Sequence, residues 1–115
     1  MVAQSVDDLH NAKSNNLSKA SSLSEKGDAI NGRGDSPNRH DVLTGSNSKG
    51  VLEGAACLDS TSPAADGSVM VGHHDSPGGG ADPSSWNAAH PSRGCGLANL
   101  RRTGGDGLYY SFATN

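Results

Sequence analysis

The supply of side chains able to fill a core sets the first limit on this chain. Leu, Ile, Val and Phe number 17 among 115 residues, about 15%, and they are scattered rather than clustered. Below about 20%, a single apolar core becomes hard to assemble. The intervening sequence is Ser, Asn, Asp and Gly, with 16 glycines. The net charge of −3 is too small to swell the chain by self-repulsion. The fold class expected from these facts is mostly disordered coil. It carries a marginal N-terminal amphipathic helix and short β-tending segments near the C-terminus.

Three segments follow from local pattern. In residues 1–27, Val6, Leu9, Lys13, Leu17, Ala20 and Leu23 recur at helical spacing. Ser5 and Asp8 offer a capping arrangement and Gly27 a stop, but the Ser and Asn between them favour turns. Residues 28–85 read as a flexible Gly/Ser/Pro-rich region with an Arg-Gly-Asp loop, and 54–85 is its most linker-like part. Within the region, Val42-Leu43-Thr44 and Val51-Leu52-Glu53 can pair only weakly, and Ser68 to Gly72 suits an isolated strand. Residues 86–115 hold every aromatic ring of the chain, at Trp86, Tyr109, Tyr110 and Phe112. There Leu108, Tyr110 and Phe112 alternate as in a half-buried strand, and Ser92 to Arg102 suits a short helix ended by Gly104-Gly105.

The sharpest chemical motif is Gly32-Arg33-Gly34-Asp35-Ser36-Pro37. A glycine between a guanidinium and a carboxylate lets the two charges project to opposite sides of a loop tip. The hexapeptide resembles the cell-attachment loop of fibronectin-type integrin ligands. The resemblance covers six residues and implies no fold. It implies partner binding by Arg33, Gly34, Asp35 and Ser36, with an integrin as the protein partner. The Asp35 carboxylate would complete a divalent-cation shell held by the partner, and Arg33 would meet acidic groups. Two other readings stay open. One is an intracellular interaction or regulatory protein docking through its N-terminal helix or aromatic tail. The other is a young reading frame without a defined function.

Other chemistry is fainter. There is no GxSxG, GxxxxGK[ST] or HExxH, so no catalytic residue is assigned and the chain is not expected to be an enzyme. His73-His74-Asp75 with His90 and Cys95 can be drawn as a ligand set, but the spacing fits no zinc template and no metal or cofactor is assigned. Arg93, Arg101 and Arg102 flank the glycine turn at Gly94-Cys95-Gly96. Such a turn can hold an anion, although three solvated arginines are the expectation and nucleic acid is not an expected partner. No stretch suits a membrane span. Cys57 and Cys95 permit one disulfide; with no leader pattern at Met1, two free thiols are expected. The chain is read as a monomer. Its location is cytoplasmic by default, or extracellular if the Arg-Gly-Asp motif is used.

Overall fold

β-Branched side chains at Val69 and Val71 favour extended backbone, and they build the middle of a sheet rather than a lone strand. The computed structural model describes residues 3–10, 15–52, 57, 67–75 and 85–112. Strands β1 (Asp41–Leu43), β2 (Met70–His73), β3 (His90–Pro91) and β4 (Gly105–Tyr109) form one mixed sheet in the order β3-β2-β1-β4. β2 is antiparallel to both β1 and β3, whereas β4 lies parallel to β1. Two short helices accompany the sheet, α1 (Val6–Leu9) and α2 (Leu97–Arg102).

Register decides what each face carries. Asp41 lies opposite His73, Leu43 opposite Val71, and Val71 opposite His90. Side chains directly opposite one another share a face, so Asp41, Leu43, Val71, His73 and His90 all project one way. One end of that face is apolar. Val69, Val71 and Cys57 form a buried cluster, with Leu43 and Cys95 packed against it. The other end is polar and carries the carboxylate and the imidazoles. Val42 and Leu108, paired across β1 and β4, line a groove with Ile30, Tyr110 and Phe112. Trp86 meets the rings of Tyr110 and Phe112 edge-on, at 5.3 and 5.5 Å. Gly72 is required where the chain crosses at Trp86, because a Cβ there would overlap the Trp86 carbonyl.

The expectation of a mostly disordered chain is overturned. The radius of gyration is 13.2 Å; a folded chain of this length has about 13 Å and an unfolded one about 34 Å. The reason is that polar residues do the work that apolar ones were thought to monopolise. Several apolar side chains stand exposed, including Val6, Val51, Leu52 and Leu97, while His73, His74, Val71 and Asn87 are the largest fully buried ones. Buried polar groups are tolerable when hydrogen-bonded, and Asn87 shows how. Its side-chain amide donates to the Asn47 carbonyl at 2.9 Å, its side-chain oxygen accepts from Ser85 Oγ at 3.1 Å, and its backbone carbonyl accepts from Thr44 Oγ1 at 2.5 Å.

Local expectations fare unevenly. The N-terminal helix shrinks to one turn at α1, where Ser5 Oγ accepts from the Asp8 amide at 3.0 Å. Turns occupy residues 18–21 and 24–27, as their serines and Gly27 favour. Val42-Leu43 pairs with β2 and β4 rather than with Val51-Leu52, and among the described residues only a Ser46–Leu52 bridge remains of that hairpin. The free-thiol expectation is also corrected. Cys57 and Cys95 are joined in a disulfide, their Cα atoms 5.8 Å apart. The linker reading of 54–85 lies largely outside the described residues. No helix among those described is long and apolar enough to cross a membrane.

Candidate metal centre

The polar end of the sheet face gathers three of the chain's five histidines around one carboxylate oxygen. Asp41 Oδ1 lies 3.1 Å from His40 Nε2, 3.1 Å from His73 Nε2 and 3.4 Å from His90 Nε2. Asp41 and His73 meet as a cross-strand pair, and His90 reaches in from β3 on the far side of β2. His40 precedes β1, and its ring stacks on that of His73 with centroids 4.1 Å apart. Its carbonyl accepts from the His74 amide at 3.2 Å, which ties this corner to the end of β2. His40, Asp41 and His73 are buried, and their ligand atoms lie within 4.8 Å of one another. His90 is 24% exposed at its side chain and borders solvent.

Tautomers and angles show what the cluster can hold. His90 Nδ1 lies 2.9 Å from the Pro91 carbonyl. A carbonyl only accepts, so Nδ1 carries the hydrogen, and Nε2 faces Asp41 as a lone pair in the neutral ring and as a second donor in the protonated one. Two acceptors so placed repel unless a proton or a cation stands between them. Asp41 Oδ1 is buried and makes no hydrogen bond of acceptable angle, despite its three imidazole neighbours. Zinc bonded at about 2.0–2.1 Å in a tetrahedron separates its ligands by about 3.3–3.4 Å, close to the 3.1 Å that separates Asp41 Oδ1 from His40 Nε2 and from His73 Nε2.

Around this set stands a supporting layer. Asp75 Oδ1 lies 3.5 Å from His40 Nδ1, behind the imidazole, where carboxylates commonly orient a ligating histidine. Asp75 Oδ2 accepts from the Arg33 amide at 2.7 Å. Gly32 is needed at this approach, since a Cβ there would overlap the Asp75 carboxylate. Burial raises the Asp41 carboxyl, but the contacts with His73 and His90 outweigh it and hold the group down at about 2. The same carboxylate raises His90 above the usual imidazole value, against burial and the charge of Arg93.

The residues singled out from sequence divide between two places. Of the ligand set drawn on paper, His73 and His90 do meet. His74 turns its Nε2 to the Asn31 carbonyl at 3.0 Å, and Cys95 is spent in the disulfide. His40 and Asp41 were overlooked. The Arg-Gly-Asp stretch is a turn in which Arg33, Gly34 and Ser36 are exposed and Gly34 has φ +89°. Asp35 Oδ2 accepts from the Gly32 amide at 2.7 Å and pairs with Lys19. Lys19, with the Gly32 amide, holds that carboxyl below the ordinary carboxylate range.

Comparison of the chain with protein-family models, with curated proteins and with solved structures yields no match.

Proposed function

We propose that this chain is a small metal-binding protein that holds one borderline divalent cation, zinc foremost, at His40, Asp41 and His73, with His90 at the rim. The observation that carries the reading is the convergence of three imidazole nitrogens on one buried carboxylate oxygen that makes no hydrogen bond. A cation held by His40, Asp41 and His73 neutralises the buried carboxylate and uses an imidazole lone pair of each histidine. Imidazole with one carboxylate suits zinc, nickel or copper better than calcium or magnesium. Burying such groups without compensation is costly, and a chain so short of apolar residues has little with which to offset it. Zinc titration against a chromophoric chelator tests the reading. One ion per chain should bind with Kd below about 1 μM, and Asp41→Asn and His73→Gln should each lose it while His10→Gln does not. Absence of stoichiometric binding, or binding indifferent to Asp41 and His73, would overturn it.

A second reading is integrin-type attachment through Arg33, Gly34, Asp35 and Ser36. It is favoured by the exposure of Arg33 and by the left-handed Gly34 at the turn. The pairing of Asp35 with Lys19 must then open for the carboxylate to reach a partner's cation. Asp35→Glu should abolish cell attachment, and adhesion left unchanged by that substitution removes this reading.

A further inference from the structure

A cleft of about 520 Å³ opens beside the candidate centre, lined by Arg33, Asn38, His40, His90, Arg93 and Arg102 among others. His40 belongs to the metal set and His90 stands at its rim, so the cleft gives onto the ion from solvent. The other notable residues are three arginines from three separate segments: the Arg-Gly-Asp turn, the loop after β3 and the end of α2. Among the described residues, no carboxylate lies within 4.0 Å of these three guanidinium groups. The contrast with their neighbours is informative. Arg39 and Arg101 both pair with Asp106, at 3.0 and 2.6 Å. In a chain of net charge −3, this mouth has kept three positive groups unneutralised.

From this arrangement we infer that the cleft takes a phosphate-type oxyanion, a phosphate monoester or inorganic phosphate, held jointly by the bound metal and by Arg33, Arg93 and Arg102. The inference rests on the metal reading above. Guanidinium groups present planar forks of donors that match phosphate oxygens in pairs. A dianion facing one dication and three guanidiniums is better matched than a monocarboxylate. Zinc held by three protein ligands keeps a fourth position for an exogenous one, and the His90 edge, on the solvent side, is where that oxygen enters. The cleft exceeds the volume of phosphate itself, which leaves room for the organic part of an ester. Arg33 joins the two layers of the site, because its amide fixes Asp75 behind His40 while its side chain lines the cleft.

The test uses the full chain loaded with one equivalent of cobalt(II), freed of excess metal and titrated with inorganic phosphate. Binding of phosphate at the metal should change the visible cobalt spectrum. The Arg93→Ala/Arg102→Ala double variant should weaken phosphate binding by about tenfold or more, with cobalt affinity unchanged. Phosphate binding by calorimetry should vanish when the metal is stripped. Failure to bind cobalt at Asp41 and His73 overturns the metal reading and this inference together. Cobalt binding with no response to phosphate overturns this inference alone. So does phosphate binding that persists in the metal-free chain or is indifferent to the two arginines.

Discussion

Removing the Cys57–Cys95 bridge should cost this protein a large share of its stability. The two cysteines are 38 positions apart. In the chain-entropy model, a cross-link closing a loop of that size removes about 13 cal/mol/K from the unfolded ensemble, or about 4 kcal/mol at 25 °C. Whole domains of this size are stable by only about 5–15 kcal/mol. The bridge also sits in the apolar cluster with Val69 and Val71, so separated thiols would loosen the packing as well. The assay is urea unfolding of the wild type and of the Cys57→Ser/Cys95→Ser variant, followed by circular dichroism. With a slope of about 1.5 kcal/mol/M, the midpoint should fall by about 2–3 M. Reductant should lower the wild type similarly and leave the variant unmoved. Two reactive thiols per chain in the native protein, or a midpoint unchanged by the substitutions, would refute the reasoning.

Other outcomes follow from particular contacts. Gly72→Ala should destabilise the fold by about 3 kcal/mol, because the new Cβ meets the Trp86 carbonyl in a central strand; denaturant midpoints measure it. Asp75→Asn should lower zinc affinity by about 10–100-fold, read by chelator competition, because it weakens the support behind His40 while leaving an oxygen for the Arg33 amide. Lys19→Ala should raise the Asp35 carboxyl toward its ordinary value of about 3.9, as followed by a carboxyl-carbon NMR titration, since Lys19 is the main cause of its depression. The sign for stability follows from a folded value below the unfolded one. The pairing stabilises above the unfolded pKa, and the benefit is lost as pH falls through the folded value. Because Lys19 is exposed and Asp35 only half-buried, solvent screens the pair and that effect should be small.

What could be read from the sequence was local. α2 lies inside the stretch expected to be helical, and Arg101 and Arg102 fall in its last turn, where cations suit the dipole. Alternation near Leu108 marked extended chain, and β4 ends at Tyr109. Ser68 to Gly72 was recognisable as extended, yet nothing local told that the strand, Met70–His73, would sit between two partners. Strand pairing between residues 41 and 73, or 41 and 105, leaves no periodic trace. The composition argument failed because it counted apolar side chains and gave no weight to buried, hydrogen-bonded His and Asn. The site was half legible. His73 and His90 stood out as ligand types, but their partners His40 and Asp41 lay in a stretch read as loop. One signal was available. Asp41 stands two residues from Leu43 as His73 stands two from Val71, so in each strand a ligating residue shares its face with an apolar one.

The pairing of β1 with β4 bears on how the molecule is made. Asp41 waits for Gly105, 64 positions downstream (105 minus 41), before its outer edge is covered. β1, β2 and β3 need only the chain through Pro91 to come together. During synthesis all three candidate ligands can therefore assemble while one side of the sheet is still open. Closing the remaining edge requires a long-range contact, and such contacts form slowly. A growing chain of this kind has an interval in which a cation can enter directly and pin the strands in register, before α2 and β4 arrive to wall the site in.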